Sequence, residues 1–174
     1  KLIIEIMEKL GFDAGVLGNH DFDFGTEVLI ENVKTSKFPI LAANIIDDLT
    51  GDHVPWIRPY VIIKKHGLKI GIIGFLTTQT TSTTKADHIK DIRFIEPVTI
   101  AKTLVKDLRQ QGCHLVIVLA HQGVNLRLTN PFEELKGELV DLANIFDPGS
   151  VDAIIGGHIH QRFIKKINNI PIVM

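Results

Sequence analysis

Gly18-Asn19-His20-Asp21-Phe22-Asp23-Phe24-Gly25 sets one amide, one imidazole and two carboxylates between two glycines. It follows Ala14-Gly15-Val16-Leu17, a short apolar run that reads as a buried strand. Glycine permits positive φ and close backbone approach, so polar groups can crowd into one tight loop. A surface turn also favours Gly, Asn and Asp. The order of these eight residues, placed just beyond a strand, sets the stretch apart from such a turn. So do two further His-bearing loops built on the same plan.

Those loops lie downstream. Leu115-Val116-Ile117-Val118-Leu119-Ala120 is an apolar run of the kind a parallel sheet buries on both faces, and it leads into His121-Gln122-Gly123. Ala153-Ile154-Ile155 leads into Gly156-Gly157-His158-Ile159-His160. Between the strands, helical spacing recurs. Leu2, Ile3, Ile6, Met7 and Leu10 share a face and stop at Gly11, and Thr26 caps a helix over residues 26–34 with Glu27 in its first turn. Pro97 opens a helix carrying Ile100, Leu104, Val105 and Leu108, and Gly112 ends it. Leu135, Leu139, Leu142 and Ile145 predict one more.

Alternating helix and buried strand predicts a layered α/β fold. Ligands in such folds gather beyond the carboxyl ends of the strands. Three strands deliver histidine there: His20, His121 and His158. Residues 38–44 read as a further strand. Residues 59–63 and 69–73 predict a hairpin turning at Gly67, and residues 162–167 and 170–173 another turning at Asn168-Asn169. The Thr-rich stretch 77–87 reads as a surface loop or a lid near the site. Gly71 to Gly74 lacks the full G-x-G-x-x-G and runs into threonines where a helix should begin, so it is not a dinucleotide loop.

Composition narrows the function classes. The 174 residues are 45% hydrophobic and 22% charged, as in an ordinary globular domain, and no internal repeat or linker divides them. A net charge of −1 gives no electrostatic case for a nucleic acid polymer or an anionic membrane. The single cysteine, Cys113, excludes an intrachain disulfide. No apolar run approaches the roughly 18 residues of a membrane span, and no signal peptide is present. Lys1 opens directly into an amphipathic segment and Met174 stops inside an apolar run, so both ends read as cut from a longer protein.

The histidines suggest metal chemistry. Neutral imidazole suits borderline divalent metals, and an Asn carbonyl adds a harder ligand. His158 and His160 are two residues apart, so an extended backbone would aim them in opposite directions. Two ions roughly 3.5–4 Å apart would let each take a different one. The alternative is one structural zinc held by Asn19, His121, His158 and His160. Such sites usually use thiolates, which Cys113 alone cannot supply.

Gly18-Asn19-His20-Asp21-Phe22-Asp23, His121-Gln122-Gly123 and Gly157-His158-Ile159-His160 resemble the later motifs of the calcineurin-like metallophosphoesterases. Phe22-Asp23-Phe24-Gly25 and Ala43-Asn44-Ile45 narrow the resemblance to the 5'-nucleotidase and UDP-sugar hydrolase group, which Leu41-Ala42-Ala43-Asn44-Ile45 and Lys69-Ile70-Gly71-Ile72-Ile73-Gly74 also fit. The resemblance implies a layered β-sandwich flanked by helices, with residues 1–174 forming the second half of a catalytic domain and no complete second domain. It implies that Asn19, His121 and His158 ligate one divalent ion, zinc or manganese, and His160 a second. His20 would stand by the substrate phosphate with Asp23 orienting its ring, and Asp21 would be structural. The implied reaction is hydrolysis of nucleotide phosphate esters by a metal-activated water. Alternatives are a 2',3'-cyclic-nucleotide phosphodiesterase or UDP-sugar hydrolase of the same group, or a catalytically dead relative used for nucleotide binding or adhesion. Partners would be nucleotides or nucleotide sugars, and export is the implied location. The group's opening Asp-x-His and Gly-Asp motifs do not occur here, so the 174 residues alone are expected to be inactive.

Overall fold

The computed structural model of the protein describes residues 2–129 and 132–174. Helix α1 (Leu2–Lys9) leads to the short strand β1 (Gly15–Val16), a 3-10 turn (Asn19–Phe22) and helix α2 (Thr26–Thr35). Strands β2 (Ile40–Leu41), β3 (Ile45–Asp47), β4 (Tyr60–Lys65) and β5 (Leu68–Leu76) follow, then the one-turn helix α3 (Thr80–Thr83) and β6 (Ile92–Phe94). Helix α4 (Ala101–Gln110) precedes β7 (Leu115–His121), and β8 (Asn125–Thr129) pairs with β9 (Phe132–Lys136). The chain closes through α5 (Glu138–Ile145), β10 (Ala153–Ile155), β11 (Ile164–Ile167) and β12 (Ile170–Val173).

Six strands form the central sheet in the order β11-β12-β10-β7-β5-β4. The inner four are parallel, and β4 and β11 join antiparallel at the two edges. Parallel neighbours need crossovers, which α4 supplies between β5 and β7 and α5 between β7 and β10. Both edge strands arise from the expected hairpins. His66-Gly67 (φ 50° and 78°) and Asn168-Asn169 (φ 49° and 62°) make two-residue turns in the left-handed region, the hand that matches strand twist. The chain is therefore mixed α/β with a central sheet flanked by helices.

A second layer lies against this sheet. Strands β1 and β2 run parallel to each other and pack on β5, and β1 also packs on β7. The approach is closest at Gly74, where an added Cβ would stand 2.5 Å from that of Leu41 and Ala43 N–H donates to the Gly74 carbonyl at 2.7 Å. One apolar cluster, including Val105, Leu108, Val116, Val118, Leu139 and Ile154, fills the space between the sheet and helices α4 and α5. Another, including Leu17, Phe22, Leu29, Ile45 and Leu76, sits beneath the Gly18–Gly25 loop and α2. The loop thus rests on a packed floor. Among the described residues, no helix is long and apolar enough to cross a membrane.

Several local expectations are corrected. Gly25 (φ 89°) takes the N-cap of α2, and Thr26 sits inside the helix with its hydroxyl donating to the His88 carbonyl at 2.5 Å. A tertiary bond has displaced the local cap. Residues 38–44 yield only the two-residue β2, because Ala42 N–H donates to the Arg58 carbonyl and Asn44 turns inward to other partners. Leu135 belongs to β9, since Gly137 (φ 126°) breaks the chain between it and α5. Its apolar spacing with Leu139 mimicked a helix face across that break.

Candidate active site

Leu17 is buried and its N–H donates to the Leu41 carbonyl, so β1 is still anchored when it reaches Gly18. There the Asp21 carboxylate accepts from Gly18 N–H at 2.7 Å and folds the backbone into the 3-10 turn. Desolvation in this crowded loop raises the pKa of Asp21, and the Asp23 charge adds to the rise against the lowering by the Gly18 bond. Asp21 is thus tied to the backbone of the loop itself. The turn buries Asn19, at 5% exposure, and Phe22, while His20 and Asp23 face solvent.

Three predicted residues meet at one point. Asn19 Oδ1 lies 3.1 Å from His121 Nε2, and His158 Nδ1 lies 3.3 Å from the same nitrogen. His121 ends β7, Asn19 begins the turn after β1, and His158 follows β10 by three residues. The site therefore sits beyond the carboxyl ends of the strands. Gly18 permits it, because an added Cβ would stand 2.8 Å from His121 Cε1. Burial lowers the His121 pKa to about 4, helped by the nearby charges of His158, His20 and His160. The imidazole is held neutral, with a lone pair to offer.

The donor set suits a divalent cation. Ligands about 2.0–2.1 Å from a common ion stand about 2.9–3.4 Å from one another in tetrahedral or octahedral arrays. Both separations around His121 Nε2 fall in that range. Among the described residues, no three His, Cys, Asp or Glu side chains group as a metal cage. The third donor here is an amide.

His160 lies near enough to the trio for its charge to act on His121. It is exposed, and it adopts φ 52° where His158 adopts 77°. The extended backbone expected through this pair is absent. Ile159 N–H instead closes on the Gly157 carbonyl at 3.0 Å, a three-residue turn around His158. That hand of turn is rare for a residue with a side chain and costs about 1–3 kcal/mol. The charge of His20 also reaches His121, and its Nδ1 lies 2.9 Å from Asp23 Oδ2 at the exposed lip of the loop.

The stretch 77–87 contains neighbours of the site that sequence reading did not single out. Thr77 and Thr80 are buried, Thr83 Oγ1 lies 3.4 Å from Asn19 Nδ2, and Gln79 Oε1 lies 3.4 Å from His158 Nε2. Glu138, at the start of α5, bonds to Thr77 and Thr78. Threonine enrichment was the one visible signal, and it does not distinguish a supporting turn from a surface loop.

The profile of the family described as calcineurin-like phosphoesterase matches residues 3–162. The chain belongs to the calcineurin-like phosphoesterases. Relatives of this phosphoesterase chain include a 5'-nucleotidase of Vibrio parahaemolyticus, 35% identical over 94% of this chain and 29% of the relative. Cell wall protein Lmo0130 of Listeria monocytogenes is 33% identical over 95% of this chain and 25% of the relative. A 2',3'-cyclic-nucleotide 2'-phosphodiesterase/3'-nucleotidase of Haemophilus influenzae is 31% identical, over 94% and 25%. Among solved structures, the calcineurin-like phosphoesterase YfkN of Bacillus subtilis superposes with a TM-score of 0.82 at 30% identity, over 99% of this chain and 56% of that one. The chain spans between a quarter and three tenths of the length of these curated relatives. The family is one of metal-dependent hydrolases, and its 5'-nucleotidase branch is the one the motifs resemble.

Proposed function

We propose that this chain supplies part of the catalytic centre of a nucleotide phosphohydrolase of 5'-nucleotidase type. The observation that supports this reading is the convergence of Asn19 Oδ1, His121 Nε2 and His158 Nδ1 beside an exposed His20–Asp23 pair. In this reading Asn19, His121 and His158 hold one divalent cation, and His160 contributes to a second. When bound, such cations polarise phosphoryl oxygens and lower the pKa of an attacking water.

The chain's own groups do the rest. Asp23 engages His20 Nδ1, which leaves Nε2 directed outward to donate to a phosphate oxygen or to protonate the leaving oxygen. The neutral state of His121 keeps its lone pair available without competition from protons near neutral pH. The packed floor of Leu17 and Phe22 holds the loop while a dianionic group binds and leaves. The cyclic-nucleotide phosphodiesterase among the relatives supports a second substrate class, and the cell wall relative supports export of the protein.

The test is phosphate release by the full-length protein from AMP, from 2',3'-cyclic AMP followed by a phosphomonoesterase, and from UDP-glucose treated likewise, each with Mn²⁺ or Zn²⁺. Preferential turnover of AMP is expected. Turnover of cyclic AMP or UDP-glucose instead would move the substrate within the group. Metal uptake with no hydrolysis of any of the three would identify a binding or adhesion relative and end the enzymatic reading.

A further inference from the structure

An amide ligand poses a problem that imidazole does not. The two ends of an Asn side chain are nearly alike in shape, yet only Oδ1 can bind a cation. Burial alone does not choose between them. Something on the far side of Asn19 must accept a proton from Nδ2.

The structure places Thr83 there, with Oγ1 3.4 Å from Asn19 Nδ2. A threonine hydroxyl could donate or accept, which would leave the amide free to flip. This one has no proton to offer, because it donates to the Gln79 carbonyl at 3.0 Å. Its lone pairs alone face Asn19. The amide must then present Nδ2 to Thr83 and Oδ1 to His121. The same turn reaches His158: Gln79 Oε1 stands 3.4 Å from His158 Nε2, accepts its proton, and leaves Nδ1 bare on the side of His121.

The turn is itself anchored. Glu138 Oε2 accepts from the Thr77 hydroxyl at 2.6 Å, and Oε1 accepts from Thr78 N–H at 3.1 Å and from its hydroxyl at 3.0 Å. Thr77 Oγ1, its proton committed to Glu138, accepts from Gln79 N–H at 3.1 Å. One chain of donors therefore runs from Asn19 through Thr83 and Gln79, and another from Gln79 through Thr77 to a carboxylate. Such chains polarise in one sense and resist reversal of any one member.

We propose that Thr83 is a positioning residue that sets the orientation of the Asn19 amide, within a turn that Glu138 anchors and that also fixes the His158 tautomer through Gln79. The proposal rests on the reading of Asn19, His121 and His158 as cation ligands, and it extends that reading to how those atoms are aimed. Outer partners of this kind typically change metal affinity 10–100-fold when removed.

The experiment compares the protein with its Thr83→Val and Thr83→Ser variants. Valine keeps the shape and removes the acceptor, and Thr83 is exposed, so folding should survive. Two readouts are taken: Zn²⁺ affinity by chelator competition, and the Asn19 side-chain NH₂ resonances of the metal-free protein by NMR. Thr83→Val should weaken Zn²⁺ binding about 10–100-fold and shift the Asn19 NH₂ signals, with the melting temperature of the metal-free protein unchanged. Thr83→Ser should restore both. Unchanged Asn19 signals in Thr83→Val, or a serine variant as impaired as the valine one, would overturn the positioning role. A parent protein that takes up no Zn²⁺ while Asn19 still responds to Thr83→Val and is restored in Thr83→Ser would uphold the orientation and overturn the metal reading instead.

Discussion

His121 Nε2 stands 3.1 Å from Asn19 Oδ1 across 102 residues of sequence. Nothing local brings them together. Strands β1 and β7 belong to different sheets, and the contact exists because the β1–β2 pair lies directly on β5 and β7. The geometry of the site is therefore a property of layer packing, and changes that alter layer spacing should be read at the site.

Gly18→Ala is the sharpest such change. Its Cβ would stand 2.8 Å from His121 Cε1 and 3.0 Å from Nδ1, so the ring must move. Overpacking of this kind costs about 1–3 kcal/mol. Displacing His121 should also lower Zn²⁺ affinity at least as much as losing an outer partner does, by a factor of about 10–100. Calorimetric titration of the variant with Zn²⁺ measures the second effect. An unchanged affinity would mean that His121 does not contribute to binding.

Substituting His20 should separate from substituting His158. His20 pairs with exposed Asp23, so in the full-length enzyme His20→Ala should keep its metal and lose kcat by about 10²–10⁴ if the ring acts as a general acid. His158→Ala removes an atom of the trio and should lose metal first. Metal analysis alongside steady-state kinetics tests the pair. Equal metal loss in both variants would place His20 among the ligands.

Strand ends were legible in the sequence where apolar runs stop abruptly at a polar residue or glycine. Leu115 to Ala120 before His121 and Ala153 to Ile155 before Gly156 are observed as β7 and β10, and both hairpins stand where Gly67 and Asn168-Asn169 pointed. What could not be read depends on partners remote in the chain. The bond of Thr26 to the His88 carbonyl, the inward turn of Asn44 and the grip of Glu138 on Thr77 each join residues at least 30 apart. The positive φ of His158 went unread for a different reason: its turn closes locally, Ile159 N–H on the Gly157 carbonyl, and hydrophobic patterning carries no mark of a left-handed histidine.

Asn44 offers the clearest stability test, because it lies outside the site and its role is complete in the structure. It is wholly buried, and its side chain answers three backbone groups: Nδ2 donates to the Leu76 carbonyl at 2.8 Å and the Ile95 carbonyl at 2.9 Å, and Oδ1 accepts from Leu76 N–H at 2.9 Å. Asn44→Leu keeps the branched outline of the side chain with somewhat bulkier methyl ends and strands all three. Each stranded buried group costs about 1–3 kcal/mol, and their shared relaxation makes the sum smaller than three separate losses, so about 3–5 kcal/mol is expected. That is a large share of the roughly 5–15 kcal/mol that holds a domain together. Urea unfolding should show a lower midpoint with an unchanged slope. Asn44→Asp separates hydrogen bonding from shape. Its carboxylate keeps the acceptor for Leu76 N–H, loses both donors and faces two carbonyl oxygens, so burial should raise its folded pKa above the ordinary carboxylate value near 3.9. Between the unfolded and folded pKa values the folded state then binds more protons, and stability must fall as pH rises through that window. The Asp variant should therefore be less destabilised at pH 5 than at pH 8, while the Leu variant shows no such difference relative to the parent. A pH-independent penalty in Asn44→Asp would mean that the carboxyl has turned out to water and that the clamp between Leu76 and Ile95 is looser than its three bonds imply.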